Sequence, residues 1–160
     1  MFTLSDIIEI ALQIEKNGES TYRRAQRKTS DPSLADLFGL LADEELKHQR
    51  WFTEFKGRVG TKPVDQDLEA MGRELFQSIL GEKAFSLDEV DLSQVADTRT
   101  VVRISAEFEQ DTVVFYEMLE PFVEEPQCRE DLRVIIQEEK RHVRDLQERL
   151  ENPPEVPASP

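Results

Sequence analysis

The sequence predicts an all-α fold, a four-helix bundle with a long crossover connection between helices two and three. Three observations carry that prediction. Four long stretches place apolar residues at alternating steps of three and four, the spacing of one helix face. The composition is 38% hydrophobic and 34% charged, which fits long amphipathic helices with solvated outer faces. The pattern of the first half also recurs in the second half, displaced by 94 residues.

The first helix is expected from about Ser5 to Lys28, with Ser5 as N-cap and acidic Asp6 and Glu9 in the first turns. The second opens at "SDPS", where Asp31 can cap and Pro32 suits the first helical position. It runs to about Arg58, near Gly57 and Gly60. Residues 61–97 are too many for a tight hairpin and enough to travel the length of a bundle and return. Within them "DLEAMGRELFQSIL" reads as a shorter helix and "SLDEVDLSQVAD" as a turn with a short helix. The third long helix is expected from Thr98 to Phe122, capped by Asp97 or Thr98. The fourth opens at "EPQCRED", with Pro126 early, and is stopped by Pro153 and Pro154. Residues 1–152 therefore read as one bundle domain, and 153–160 as a disordered Pro-rich tail.

The net charge of −14 makes nucleic acid and anionic membranes poor partners. No apolar run approaches the roughly 18 residues a membrane span needs. "MFTLSDIIEI" has no basic region before its apolar residues, so it does not read as a signal peptide. The single cysteine, Cys128, allows no intrachain disulfide and no Cys-x-x-Cys site; it lies far from the centre of the helix seam and is expected to be inert. A cytoplasmic location is expected from these features.

The repeat carries the chemistry. Glu15, Tyr22, Glu45 and His48 recur as Glu109, Tyr116, Glu139 and His142. These include the only two histidines and the only two tyrosines in the chain. On the first helix Ile8, Ala11, Glu15, Gly18, Tyr22 and Ala25 form one seam; on the third it is Val102, Ser105, Glu109, Thr112, Tyr116 and Leu119. Glu45 and His48 lie on the seam with Leu41, Phe52 and Phe55, and Glu139 and His142 with Ile135 and Leu146. Four glutamates and two histidines thus occupy core positions at mid-helix.

A buried unpaired carboxylate is costly, and four together repel one another. No lysine or arginine lies on these seams to neutralise them. Two divalent metal ions would. Glu and His at i and i+3 share a helix face and can reach one ion. Carboxylate oxygen with imidazole nitrogen suits iron, manganese or zinc. Glu44 and Glu138 point off the seam and read as exposed, or as partners of the ligands. Tyr22 and Tyr116 read either as core packing or as hydroxyls bonded to a ligand carboxylate one or two turns away. Gly18 either leaves space beside the metals for dioxygen, peroxide or an exchanging carboxylate, or serves close helix packing; mid-helix it costs about 1 kcal/mol relative to alanine.

"ALQIEKNGESTY", "LADEELKHQRWF", "FEQDTVVFYEML" and "IIQEEKRHV" together resemble a rubrerythrin-type member of the ferritin-like superfamily. The resemblance covers about residues 5–58 and 98–150. It implies a ferritin-like bundle with a non-haem di-iron site, with two iron ions, or zinc or manganese in their place. It implies Glu45 and Glu139 as bridging ligands, Glu15 and Glu109 as terminal carboxylates, and His48 and His142 as one imidazole per ion. Two departures stand out. The Cys-x-x-Cys pairs of a rubredoxin domain are missing, so electrons must come from an external donor, rubredoxin-like or a flavoprotein. The further carboxylate that rubrerythrins carry one turn after the helix-three Glu is Thr112 here, and its repeat mate is Gly18.

The expected function is reduction of peroxide or dioxygen at the di-metal centre, in a homodimer, serving oxidative-stress defence or iron homeostasis. One alternative is a ferroxidase for iron storage or delivery. The other is a bundle in which zinc or another metal is purely structural.

Overall fold

The fold was obtained as a computed structural model, which describes residues 3–59, residue 70 and residues 98–153. The long helices are α1 (Leu4–Lys28), α2 (Pro32–Arg58), α3 (Thr98–Leu119) and α4 (Pro126–Glu151). The expected crossover helices and the tail beyond Pro153 lie outside the described residues.

The helix starts follow local chemistry. Thr3, not Ser5, is the first N-cap: its side chain accepts from the Asp6 backbone N–H at 3.2 Å, and its own N–H donates to Asp6 Oδ2 at 2.7 Å. That reciprocal pair satisfies two otherwise orphaned donors, which Ser5, inside the first turn, cannot do. Asp31 caps α2 as expected, accepting from Ser33 N–H at 2.9 Å with Pro32 behind it. The third helix is shorter than expected. It changes to a 3-10 turn over Glu120–Phe122, where Pro121 cannot donate to the α-helical ladder. Glu125 precedes α4 without a side-chain cap, and Pro126 supplies its first turn.

α1 packs chiefly on α2, and α3 on α4, so each copy of the repeat is one helical pair. The seams bury as the spacing requires: every seam residue named on α1 and α3 is buried. Two apolar clusters fill the interior. One gathers Ile7, Ile8, Phe52, Phe55, Phe108, Tyr116, Leu132 and their neighbours; the other gathers Tyr22, Leu34, Phe38, Leu41, Val102 and Leu146. Between them sits a polar layer. Among the described residues, no helix is long and apolar enough to cross a membrane.

Candidate metal centre

The polar layer consists of Glu15 from α1, Glu45 and His48 from α2, Glu109 from α3, and Glu139 and His142 from α4, all at 0–2% exposure. Two four-residue sets could each hold an ion: Glu15, Glu45, His48 and Glu139, and Glu45, Glu109, Glu139 and His142. Within each set the potential ligand atoms lie within 4.8 Å of one another. Glu45 and Glu139 belong to both.

The unpartnered atoms sort these residues by role. Both oxygens of Glu45 and both of Glu139 are buried without a hydrogen bond. Glu15 and Glu109 each leave only Oε2 unpartnered, and each histidine leaves only Nδ1. Two free oxygens suit a carboxylate shared between two ions; one suits a carboxylate serving a single ion. Eight buried lone-pair sites aimed at one another are a large electrostatic cost without a cation. The donor set therefore fits two divalent ions of borderline hardness.

The atoms that do have partners hold the cage in shape. Tyr22 donates its hydroxyl to Glu109 Oε1, and Tyr116 donates to Glu15 Oε1, both buried. Each tyrosine thus crosses the bundle to the other helical pair, rather than serving the carboxylate on its own helix. Glu138 Oε2 lies 2.9 Å from His48 Nε2, and Glu44 Oε2 lies 2.6 Å from His142 Nε2. A carboxylate at Nε2 favours a proton on that nitrogen and leaves Nδ1 turned toward the buried carboxylates. Arg141 donates to the other Glu44 oxygen at 2.5 Å. Sequence reasoning left Glu44 and Glu138 between exposure and a supporting role. The signal was present, because both histidines follow a Glu-Glu pair. The first Glu of each pair reaches the histidine of the opposite helix, a contact that periodicity along one helix does not reveal.

The charges redistribute strongly in this layer. Burial pushes the Glu45 carboxyl well up, and Glu15, Glu139 and Glu109 add repulsion. Burial likewise pushes Glu109 up to about 7, with Glu139 adding to it. For Glu139 burial acts in the same direction but is outweighed, because His48 Nδ1 lies 2.8 Å away and His142 Nδ1 2.9 Å away; its carboxyl is held far below the usual range. Burial lowers both histidines, yet Glu139 and Glu15 raise His48 overall, and Glu109 with Glu139 and Glu44 raises His142. Glu44 falls to about 2 through its bond to His142. Protons thus balance much of the carboxylate charge in the metal-free cage, and ions would have to displace them.

Gly18 has a definite steric role. A Cβ placed there would lie 2.7 Å from Glu45 Oε2 and 3.3 Å from Phe108 Cε1. The missing side chain makes room for the Glu45 carboxylate and the Phe108 ring, so α2 and α3 pack close to α1 at this level. Its repeat mate Thr112 is buried and donates to the Phe108 carbonyl at 3.0 Å. Cys128, far from the cage, is buried; burial and Glu125 push its thiol up to about 11, as expected for an inert cysteine.

Comparison with known proteins agrees with this architecture. The rubrerythrin family profile matches residues 6–150. A crystal structure of a candidate ferritin-like diiron-carboxylate protein from Thermotoga maritima superposes with a TM-score of 0.71. It is 20% identical and covers 94% of this chain and 96% of its own. No curated protein matches.

Proposed function

The chain belongs to the rubrerythrin family, and on that premise we propose that it is a non-haem di-iron oxidoreductase that reduces peroxide or dioxygen. The observation that supports this most is the pair of four-residue sets sharing Glu45 and Glu139. Two ferrous ions held there would supply one electron each to the O–O bond.

The chain's own residues would do the rest. Glu45 and Glu139, which belong to both sets, would help to hold both ions. Glu15 with His48 would hold one ion, and Glu109 with His142 the other. Tyr22 and Tyr116 restrict the terminal carboxylates to a single free oxygen. Glu138 and Glu44 hold the imidazoles in the tautomer that leaves Nδ1 free for an ion. The flanking apolar clusters exclude bulk water from the cage. Gly18 leaves the space that the Glu45 carboxylate occupies. Re-reduction would fall to a separate donor protein.

Anaerobic loading with ferrous ion, followed by rapid mixing with hydrogen peroxide or dioxygen, tests this. Oxidation many times faster than that of free ferrous ion is expected. Equal rates would overturn the redox reading in favour of a structural metal site. A closed cage of many subunits, seen by light scattering, would instead favour iron storage over the homodimer proposed here.

A further inference from the structure

The two helical pairs differ beside their tyrosines. The Tyr116 ring centroid lies 5.1 Å from that of Phe52, and Phe52 lies 4.9 Å from Trp51, nearly edge-on at 78°. Phe52 and Tyr116 are fully buried, while Trp51 is only half-buried. Trp51 Nε1 donates to Asp131 Oδ2 at 3.4 Å. At the inner end of this row the Tyr116 hydroxyl donates to Glu15 in the cage. Three aromatic rings therefore connect the surface with a carboxylate of the site.

The 94-residue offset shows that the row is one-sided. The positions matching Trp51 and Phe52 are Asp145 and Leu146. Tyr22, the mate of Tyr116, stacks on Phe38 at 5.9 Å, and the matching surface position carries an acid instead of an indole. Core packing accounts for an apolar residue at 52 and at 146. It does not require the chain's only tryptophan at a half-buried position with its N–H aimed at a carboxylate on the neighbouring helix.

We propose that Trp51, Phe52 and Tyr116 form a one-electron route between the protein surface and the metal cage. The proposal rests on the di-iron reading above. Peroxide takes up two electrons and two protons to give two waters. A cage with two ferrous ions supplies both electrons; a cage left with one ferrous ion supplies only one. Trp51 then provides the second. The electron passes through Tyr116, whose phenolic proton shifts along its bond to Glu15 and returns, and the Trp51 Nε1 proton moves to Asp131. The two protons consumed come from water. Phe52 is not oxidised; its ring fills the gap between the two oxidisable rings and couples them. Trp51 remains as a neutral radical at the surface. There an external one-electron reductant, such as a thiol or ascorbate, restores it together with the proton on Asp131.

The test uses the full chain, loaded anaerobically with one ferrous ion per chain and mixed with hydrogen peroxide. Ferric formation is followed by absorbance, radicals by freeze-quench electron paramagnetic resonance, and oxidised residues by peptide mass spectrometry. The expected result is a tryptophan radical and oxidation at Trp51, both absent when metal-free protein meets peroxide. Phe52→Leu, which installs the residue of the other half, should lower Trp51 oxidation several-fold while ferric ion still forms. Trp51→Phe, at a half-buried position, should leave the fold intact and strand the radical on Tyr116. Ferric formation with Trp51 untouched would overturn the route and leave the redox reading standing. Trp51 oxidation without metal, or undiminished in Phe52→Leu, would also overturn it. No acceleration of iron oxidation by the protein would overturn both.

Discussion

The pair α1–α2 and the pair α3–α4 bring the same carboxylates and imidazole to the cage and surround them differently. Glu139 sits between two imidazole nitrogens at 2.8 and 2.9 Å, whereas its mate Glu45 has His142 Nδ1 at 3.6 Å and faces the gap left by Gly18. Beside Tyr116 stands an aromatic row; beside Tyr22 the matching positions are Asp145 and Leu146. The lesson is that a repeat can preserve the atoms that would bind metal while the residues one layer out diverge. Glu139 is clamped between two imidazoles, while Glu45 has no imidazole that close.

The largest effects should come from Glu45 and Glu139, the carboxylates common to both four-residue sets. Glu139→Gln and Glu45→Gln are each expected to abolish tight binding of both ions, read as metal content after desalting. Without metal the two should diverge. Glu139→Gln leaves two raised imidazoles without their central anion and should destabilise the apo protein by about 3 kcal/mol. Glu45→Gln removes a carboxyl already pushed well up by its neighbours and should be neutral or stabilising. Equal losses in chemical denaturation would erase the distinction between the halves.

The proton balance gives the next effect. The Glu109 carboxyl is raised from 4.5 to about 7 in the folded chain, so at pH 6 the native state holds a proton that the unfolded state has released. Metal-free stability should therefore fall as pH rises from about 4.5 to 7, by about 3 kcal/mol from this group. His48 and His142, raised above 6.5, extend the fall to higher pH. The loss below pH 4.5 expected from Glu139, whose carboxyl is lowered, lies outside this window. Metal binding should show the opposite trend, tightening as pH rises while Glu45, Glu109, His48 and His142 give up their protons. Calorimetric titration in buffers of different ionisation enthalpy measures that release directly.

Gly18→Ala probes the gap beside Glu45, and Thr112→Ala is its counterpart in the other half. Alanine should add about 1 kcal/mol of helix propensity at position 18. Its Cβ would meet Glu45 Oε2 at 2.7 Å, so the Glu45 carboxylate must shift. Metal affinity is expected to fall about ten-fold, equivalent to about 1.4 kcal/mol. Thr112→Ala loses only a bond to its own helix and should leave affinity unchanged. Tyr22→Phe and Tyr116→Phe should have the smallest effects on stability. Each removes one buried hydrogen bond, worth about 1 kcal/mol, and thermal denaturation should show similar shifts for both.

Much of this was legible in the chain itself. The six cage residues stand out because charged residues on an apolar seam contradict the helical pattern, and the repeat shows that the contradiction occurs twice. The Asp31–Pro32 start was equally plain. Contacts between helices were not. That Tyr22 serves Glu109, or that Glu44 holds His142, depends on how the two pairs dock, and spacing along one helix carries no information about it. Residue type does not separate Thr3 from Ser5 as the cap; the reciprocal bond with Asp6 does. The helical spacing continues to Phe122, whereas Pro121 closes α3 in a tighter turn.

The two-ion, carboxylate-bridged cage is tested most directly by anomalous diffraction at the iron edge from crystals loaded anaerobically with ferrous ion. Two peaks are expected between Glu45 and Glu139, one flanked by Glu15 and His48, the other by Glu109 and His142. A single peak, or iron bound only at surface carboxylates, would contradict it.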